Sequence, residues 1–294
     1  MRVVFLRRRK LGLTSCREIG RHMAEILKVP VVIMRNDKML PLQEDDVLIR
    51  WGCTSSLLPS VWHRSLSLNP VAAIHWCNDK AGSRMSLQAR GVRTPVSWWE
   101  AEFERDTEGH SVPGDTYVLR PPTHSQGRHL YHGNRGYICN KIRERRSLGL
   151  EAGYVSEYIN KIAEYRVMVV AGLAVWVVRK TPANPEDIAW NVARGGRFDN
   201  VRWGEWPIAV VYEALRAAYE SCTDFCGVDV MVDAEGTPYV LEVNSAPSHT
   251  SPYRQQATAK ALAHLIQTQV TYPVPNGEAL TWRDVIHPAL LDQQ

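Results

Sequence analysis

The residues best suited to chemistry lie in one predicted β-hairpin, "GVDVMVDAEGTPYVLEVNSAPS", at residues 227–248. Two apolar runs flank the turn signal "DAEGTP", a pattern typical of two antiparallel strands. If the loop is centred on Glu235 and Gly236, Asp229 lies directly across from Glu242. Asn244 shares their face, because side chains alternate along a strand. That face also carries Met231 and Val240, and the opposite, core-facing side is predicted to hold Val228, Val230, Val232, Tyr239, Leu241 and Val243.

Two opposed carboxylates on a half-buried sheet repel each other, and a divalent cation removes that repulsion. Oxygen ligands from Asp, Glu and Asn, without His or Cys, favour Mg²⁺ or Mn²⁺ over zinc. Because Mg²⁺ is commonly shared between carboxylates and substrate phosphates, the hairpin is predicted to bind magnesium with a phosphorylated ligand. Spacing alone leaves an alternative open, namely the exposed polar face of an edge hairpin.

The elements upstream of the hairpin begin with a predicted small α/β domain. Residues 1–75 alternate apolar strands with a helix, which indicates a largely parallel sheet. The predicted strands are "RVVFLR", "VPVVIM", "DVLIRWG" and "PVAAIHWC", and the predicted helix is "SCREIGRHMAEILK". A second helix is predicted in "NDKAGSRMSLQARGV", with Asn78 or Asp79 as its N-cap and Gly91 at its end.

The middle of the chain favours strands joined by loops. "TYVLRPPTHSQGRHLY" predicts a strand, a loop and a second strand, and "EYRVMVVAGLAVWVVRK" predicts a long hairpin around "AGLA". Residues 181–206 show no convincing period, and an irregular segment of that length is typical of a functional loop. Amphipathic helices are predicted at "PIAVVYEALRAAYESC", with Tyr219 on its apolar stripe, and at "SPYRQQATAKALAHLIQTQV", capped by Ser251.

Composition narrows the class of protein. The chain has 294 residues, a net charge of +4 and 45% hydrophobic residues, which is typical of a globular protein. No apolar run approaches the roughly 20 residues of a membrane helix, and the basic cluster follows rather than precedes the first apolar residues. We therefore expect a cytoplasmic protein that does not bind membranes. The modest charge does not favour nucleic acid, and six cysteines without a CxxC pair indicate free thiols rather than zinc or disulfides.

No P-loop, dinucleotide-binding, zinc-protease or serine-hydrolase motif is present. Five segments nevertheless resemble, in order and spacing, the ATP-grasp superfamily: "NPVAAIHWCNDKAGSRMSLQARGVRTP", "YVLRPPTHSQGRHLY", "SEYINKIAEYRVMVV", "NVARGG" and "GVDVMVD…YVLEVNSAP". The resemblance covers residues 69–250 and is greatest to the ribosomal-protein glutamate ligases and the glutathione synthetases. It implies an α+β fold, in which two α+β lobes clasp ATP after a small α/β pre-grasp domain. The implied divisions are a pre-grasp domain at 1–75, an N-terminal lobe at 76–165, a C-terminal lobe with the magnesium site at 166–270 and a tail at 271–294.

The resemblance also assigns site residues. ATP-binding positions are implied for phosphate-facing Lys80, Arg120 and Lys180, lid residues Gln126 and Gly127, hinge residues Glu157, Tyr158 and Ile159, ribose-binding Glu164 and substrate-loop Asn191. The implied magnesium ligands are Asp229, Glu242 and Asn244, with Glu242 bridging two ions. Arg166 and Arg194 are the candidates for transition-state stabilisation.

Some of these positions would equally suit an ordinary structural role, and others depart from the family pattern. Arg166 would also suit a surface ion pair with Glu164, Gly127 a simple hairpin turn, and Lys180 an ordinary strand end. Arg120 replaces a lysine, and His124 and His129 stand in the lid where glycines are frequent. Gly227 stands where the D-alanine–D-alanine ligases carry a catalytic arginine, which argues against a dipeptide ligase of that type.

The implied activity is ATP-dependent carboxylate–amine ligation. A carboxylate attacks the γ-phosphate of ATP to give an acylphosphate and ADP, and an amine from an amino acid, peptide or protein displaces phosphate to form an amide. Two Mg²⁺ ions are implied, with Mn²⁺ as a substitute, and a homo-oligomer is left open. The alternatives are a catalytically degenerate nucleotide-binding regulator, and an ATP-grasp phosphotransferase or carboxylate–thiol ligase.

Overall fold

The computed structural model describes residues 1–8, 12–38, 41–55, 66–105, 115–121, 130–150, 153–184, 187–188, 190, 195–276 and 279–293. Within these ranges the strands form three sheets. In sequence order, the sheets are built from residues 3–68, 97–157 and 161–244.

The N-terminal sheet is parallel, as the sequence predicts. Its strands are β1 (Val3–Arg7), β2 (Val31–Arg35), β3 (Val47–Trp51) and β4 (Ser67–Leu68), in the order β2-β1-β3-β4. Helix α1 (Leu13–Leu27) connects β1 to β2, and its Ile19 and Met23 are completely buried. The carboxyl ends of these strands lie at one edge of the sheet, where ligands of parallel sheets commonly bind.

The strand predicted at "PVAAIHWC" is wrong, because Val71–Asn78 forms helix α2. Its buried residues Ala73, Ile74 and Cys77 follow helical spacing, and a short apolar run does not distinguish a strand from a buried helix. Helix α3 (Lys80–Ala89) begins where predicted. The Asp79 side chain accepts a hydrogen bond from the Gly82 N–H at 2.9 Å, and Gly91 follows the helix with φ of 71°.

The second sheet is antiparallel and runs β5-β8-β6-β7. Its strands are β5 (Ser97–Trp99), β6 (Tyr117–Arg120), β7 (Tyr131–Gly133) and β8 (Tyr154–Glu157), and its helices are α4 (Glu100–Arg105) and α5 (Arg135–Ser147). Helix α5 contains the basic stretch 141–147 and buries Ile138 and Ile142 against this sheet. The core of this lobe is small and separate from the main core.

The third sheet is larger, antiparallel, and runs β11-β10-β9-β12-β13. Its strands are β9 (Lys161–Val170), β10 (Leu173–Thr181), β11 (Arg197–Val201), β12 (Phe225–Asp233) and β13 (Pro238–Asn244). Helices α6 (Ile208–Glu220) and α7 (Pro252–Thr268) pack against it, and short helix α8 (Trp282–Val285) follows. Helix α7 also packs on α1, so one hydrophobic core joins this sheet to the N-terminal sheet.

Two details differ from the sequence prediction. Strand β11 lies inside the segment predicted to be irregular. It was missed because it is a polar edge strand that lacks an apolar alternation and, among the described residues, pairs only with β10. On α6, Tyr219 is 65% exposed, whereas the buried stripe consists of Val210, Val211, Ala214, Leu215, Ala217 and Ala218.

The hairpin register changes by one residue beside the predicted metal site. Asp229 pairs with Glu242, as predicted, but Val230 pairs with Val240, so Leu241 has no partner across the pair. This β-bulge reverses the alternation beyond it. As a result, Val240 lies in the main core and Leu241 lines the cavity described below, the opposite of the predicted faces.

The chain passes from the second sheet to the third between Glu157 and Lys161. The division expected between residues 165 and 166 therefore falls inside β9. In the part of the chain that the structure describes, no helix is long and apolar enough to cross a membrane.

Candidate functional site

A cavity of about 430 Å³ lies between the second and third sheets. This volume is within the range of small-molecule sites, about 300–1,000 Å³. Its lining includes most of the residues that the sequence singled out: Lys80, Arg120, Glu157, Tyr158, Ile159, Glu164, Arg166, Lys180, Asp229 and Glu242. Gln126, Gly127, Asn191 and Arg194 lie outside the described residues, as do His124 and His129.

The third sheet positions the charged residues in two cross-strand rows. Arg166 on β9 pairs with Asp229 on β12, which pairs with Glu242 on β13. Two residues before Arg166, Glu164 pairs with Lys180 on β10, which pairs with Phe198 on β11. Residues two apart on a strand share a face, so both rows face the cavity.

Arg166 and Asp229 form a two-pronged ion pair. Arg166 donates from Nε to Asp229 Oδ1 at 2.6 Å and from Nη2 to Oδ2 at 2.8 Å. Lys180 Nζ lies 2.8 Å from the same Oδ2. Arg166 is thus not a surface residue paired with Glu164, because its partner is Asp229 and its side chain is only 14% exposed.

Glu164 is bound by two lysines. Lys180 Nζ donates to Glu164 Oε1 at 2.6 Å, and Lys161 Nζ donates to Oε2. Lys161 also donates to the Ile188 carbonyl at 2.9 Å and lies 4.5 Å from the centre of the Trp190 ring. Lys180 is therefore a buried charged residue of the cavity rather than an ordinary strand end.

Glu242 links the hairpin to α3. Its Oε2 accepts a hydrogen bond from Nζ of Lys80, which is the first residue of α3. Its Oε1 accepts one from Asn244 Nδ2 at 3.0 Å. Asn244 reaches the cavity only through Glu242, because its own side chain is not part of the lining.

The pKa values of these groups reflect two opposing effects, burial and the charges of neighbouring side chains. Burial raises the pKa of the Asp229 carboxyl, but Arg166 and Lys180 outweigh burial and lower it. Burial likewise opposes ionisation of Glu242, yet Lys80 and Asn244 hold its pKa below the usual range. Burial lowers the pKa of Lys161, whereas for Lys180 the attraction of Asp229 and Glu164 exceeds the effect of burial and raises the pKa. Both carboxylates are consequently ionised at neutral pH.

The hinge residues already use several of their polar groups within the protein. The Glu157 and Tyr158 N–H groups donate to the Val96 and Thr116 carbonyls, at 2.9 and 2.8 Å. The Glu157 carboxylate accepts from the Val96 N–H at 2.8 Å, and burial raises its pKa.

Several residues of the lining were not predicted from the sequence, including Arg84, Lys161 and Tyr154. Arg84 follows Lys80 by one helical turn, a spacing that places both on one face of α3. That spacing is visible in the sequence, but a mid-helix arginine usually indicates a solvated face. The structure instead leaves Arg84 only 2% exposed.

The oxygen donors suit a hard cation. Asp229 and Glu242 are ionised, adjacent and compensated only by side-chain cations, and Asn244 adds a carboxamide. Among the described residues, no group of three or more His, Cys, Asp and Glu side chains converges on one point. Mg²⁺ commonly binds only one or two protein carboxylates when a substrate supplies further oxygens. Asp229, Glu242 and Asn244 form a set of that kind.

Two glycines place loops tightly against the site. A Cβ at Gly227 would lie 2.8 Å from Pro247 Cβ and 3.5 Å from Arg166 Cδ, so no side chain fits there. A Cβ at Gly52, which has φ of 62°, would lie 2.7 Å from Ala246 Cβ. The end of β3 therefore contacts the loop that follows β13, whose Ser248 and Thr250 line the cavity.

Comparison with known proteins agrees with this architecture. Residues 208–281 match the tubulin-tyrosine ligase family. The D-alanine–D-alanine ligase of Anaeromyxobacter dehalogenans strain 2CP-C is 36% identical over 109 residues, or 34% of this chain and 35% of that enzyme. The matched segment thus spans about a third of the length of the curated relatives.

Solved structures match over most of the chain. The ATP-grasp ligase PsnB, complexed with a phosphomimetic variant of its minimal precursor, Mg and ADP, has a TM-score of 0.63 at 13% identity, covering 89% of this chain and 98% of that one. An ATP-grasp RimK domain protein from Sphaerobacter thermophilus has a TM-score of 0.62 at 16% identity, covering 90% and 98%. These identities are low, so the likeness concerns the fold. This chain therefore shares the ATP-grasp fold of both structures.

Proposed function

We propose that this protein is an ATP-dependent carboxylate–amine ligase that forms an amide bond through an acylphosphate and releases ADP and phosphate. The observation that carries the proposal is the row Arg166–Asp229–Glu242, with Lys180 against Asp229 and Lys80 against Glu242, all facing one cavity. Buried carboxylates surrounded by cationic side chains suit a metal-bound polyphosphate better than an apolar ligand. The named relative is itself a ligase, which supports the same reaction class.

The nucleotide is proposed to lie along the cavity with its base at the hinge. Because the N–H groups of Glu157 and Tyr158 already donate within the protein, Ile159 and the hinge carbonyls are left to contact adenine. Glu164 is proposed to bind the ribose. Lys80, Arg120 and Lys180 are proposed to contact the phosphates, with Gln126, Gly127 and Asn191 completing the binding site.

Asp229, Glu242 and Asn244 are proposed to hold the metal. Two Mg²⁺ ions, replaceable by Mn²⁺, would neutralise the phosphate oxygens and align the γ-phosphate for attack. The protein's own contribution is to keep both carboxylates ionised and oriented. Arg166 and Lys180 do this for Asp229, and Lys80 and Asn244 for Glu242.

Transfer of the γ-phosphoryl group needs positioning and charge neutralisation rather than a protein nucleophile. Arg166 is the proposed transition-state group, with Arg194 as its partner. Its Cδ lies beside Gly227, and Pro247 blocks any side chain from that position. Arg166 therefore supplies the positive charge at a place where an arginine at 227 could not fit.

The carboxylate and the amine are proposed to enter where the N-terminal sheet meets the loop after β13. Gly52 and Ala246 bring these parts into contact, and Arg50, 1% exposed, lies beside them on β3. An amino acid, a peptide or a protein is the proposed amine acceptor. We further propose a pre-grasp domain, two lobes that meet near residues 158–160, and a cytoplasmic location.

The direct test incubates the protein with Mg·ATP and panels of carboxylates and amines, while measuring ADP release and searching for amides by mass spectrometry. Hydroxylamine in place of the amine should trap an acylphosphate as a hydroxamate. ADP release that requires both substrates, with an amide product, supports the proposal. ADP release with a phosphorylated product and no amine requirement would indicate a phosphotransferase, and a thioester product would indicate a carboxylate–thiol ligase.

A further inference from the structure

Arg84 is a buried cation of the cavity, and no carboxylate of the described residues forms an ion pair with it. It lies on α3 one turn after Lys80, is 2% exposed and lines the cavity. Among the described residues, its guanidinium makes one hydrogen bond, from Nη2 to the Leu241 carbonyl. A fully buried arginine is normally paired, because an uncompensated charge in a low-dielectric interior is costly.

The β-bulge explains why Arg84 is anchored at this point. Leu241 is the extra residue between the Asp229–Glu242 and Val230–Val240 pairs, so it has no partner on β12. Its carbonyl instead accepts the hydrogen bond from Arg84. The bulge thus fixes Nη2 of the guanidinium, while Nη1 has no hydrogen-bond partner among the described residues.

A second arginine of the same cavity also has an unused donor. Arg84 Nη1 and Arg120 Nε are both buried, and neither has a hydrogen-bond partner among the described residues. Burial is the main cause that lowers the pKa of Arg84 to about 10, and the like charge of Arg120 adds to it. Arg84 is still charged at neutral pH, so the two guanidinium groups repel each other unless an anion lies with them.

The position of Arg120 beside β8 indicates which anion binds there. Arg120 pairs with Tyr154, which precedes hinge residue Glu157 by three positions, about 10 Å along the strand. A nucleotide with its base at the hinge would bring its first phosphate towards this point.

We propose that Arg84 binds the α-phosphate of the nucleotide together with Arg120. This inference rests on the proposed function, because it requires a nucleotide in the cavity. Arg84 therefore contributes phosphate affinity rather than only packing. The Leu241 carbonyl presets its orientation.

The test compares wild type, Arg84→Met, Arg84→Lys and Arg90→Met. Methionine keeps much of the buried apolar stem, and lysine keeps the charge without the planar fork. Arg90, just after α3, is a matched control, because it pairs with Glu220 and is not part of the lining. Calorimetric titrations with adenosine, AMP and inorganic tripolyphosphate are made in EDTA, and thermal unfolding confirms that each variant is folded.

Arg84→Met should weaken AMP and tripolyphosphate binding at least about tenfold, the effect of one lost charge-assisted hydrogen bond. Adenosine binding should change less than about twofold, Arg84→Lys should recover part of the loss, and Arg90→Met should match wild type. Equal losses for adenosine and AMP, or no loss for either, would overturn the inference.

The same titrations separate this inference from the proposed function. If wild type binds AMP and Arg84→Met binds it equally well, the inference fails and the proposed function stands. If wild type binds tripolyphosphate through Arg84 but binds neither adenosine nor AMP, the arginine pair is an anion site and the nucleotide assignment fails. If wild type binds none of the three, both are contradicted.

Discussion

Arg166 holds Asp229 through two hydrogen bonds, from Nε to Oδ1 at 2.6 Å and from Nη2 to Oδ2 at 2.8 Å. Lys180 adds a third contact on Oδ2 at 2.8 Å. The carboxylate proposed to bind metal is therefore ionised and oriented by the sheet itself. Removal of the Asp229 carboxylate should lower both the stability of the folded protein and its metal binding.

Asp229→Asn should lower the free energy of unfolding by about 3 kcal/mol, because it leaves Arg166 and Lys180 buried with one carboxylate fewer. Urea unfolding monitored by circular dichroism measures the difference. Glu235→Gln, in the exposed hairpin loop, is the control and should stay within about 0.5 kcal/mol of wild type. Equal stability of Asp229→Asn and wild type would contradict the buried ion pair.

Lys80→Met should strengthen the binding of Mn²⁺ alone and weaken the binding of ATP. Lys80 competes with a metal for Glu242 Oε2, so its removal frees that oxygen, but it also removes a proposed phosphate contact. Free Mn²⁺ measured by electron paramagnetic resonance gives the metal affinity without nucleotide. The control is Lys141→Met, since Lys141 pairs with Glu144 away from the cavity. Weaker Mn²⁺ binding in Lys80→Met would show that Lys80 does not compete for this site.

His249 should make stability fall as the pH decreases below neutrality. The Pro247 carbonyl can only accept, so His249 Nδ1–H donates to it at 2.9 Å, and Nε2 of the neutral ring accepts from the Thr258 hydroxyl at 3.0 Å. Thr258 Oγ1 also accepts from Trp176 Nε1 at 3.0 Å, and these contacts hold the neutral ring beside the loop after β13. Burial lowers the pKa of His249 to about 3.

In the unfolded chain, His249 has an ordinary pKa of about 6.5 and binds a proton below that pH, whereas in the folded protein it stays neutral. The stabilisation is complete above about pH 6.5 and decreases by up to about 1.4 kcal/mol per pH unit as the pH falls towards 3. Urea unfolding between pH 7 and 5 should give a slope that His249→Gln reduces by about one proton. Buried His287, whose pKa burial lowers to about 3, should maintain a residual slope. An unchanged slope in His249→Gln would indicate that the ring is protonated in the folded protein.

Gly52→Ala should destabilise the protein more than Gly149→Ala. Both glycines have positive φ, 62° and 67°, so both variants carry the same backbone strain. A Cβ at position 52 would also meet Ala246 Cβ at 2.7 Å, whereas nothing lies within 4 Å of one at 149. The difference in unfolding free energy between the two variants isolates the contact between the N-terminal sheet and the loop after β13. Equal losses of unfolding free energy in the two variants would show that the N-terminal sheet and the loop after β13 are not in tight contact at Gly52.

Asp229 pairs with Glu242 as predicted, but the turn alone does not produce this pairing. Next to the turn, Val232 pairs with Pro238 and Val230 with Val240, one residue short of the predicted register, and the bulge at Leu241 restores it. The bulge was not predictable, since a one-residue insertion leaves no mark in an apolar run. The same limit applies to "VAAIHWCN", where helix and strand patterns coincide over one short buried segment. β11 was missed because an edge strand needs no apolar face.

The residues of the candidate site were also only partly predictable from the sequence. Lys80, Glu164 and Lys180 were assigned through a family resemblance, and Asp229 also from the hairpin pattern. All four line one cavity, to which the sheet register brings Glu164, Lys180 and Asp229. Arg84 was not predicted to line the site because its burial depends on tertiary packing. The hydrogen bond that anchors it depends on the bulge, which is itself invisible in the sequence.

Asp229 and Glu242 are proposed to bind the metal ion that is complexed with ATP. Calorimetric titration of a non-hydrolysable ATP analogue, with and without Mg²⁺, into wild type and Glu242→Gln tests this proposal most directly. We predict Mg²⁺-dependent binding to wild type that the substitution weakens at least about tenfold, through the loss of a charged metal ligand. Binding that is independent of both Mg²⁺ and Glu242, or no binding to wild type, would contradict the account.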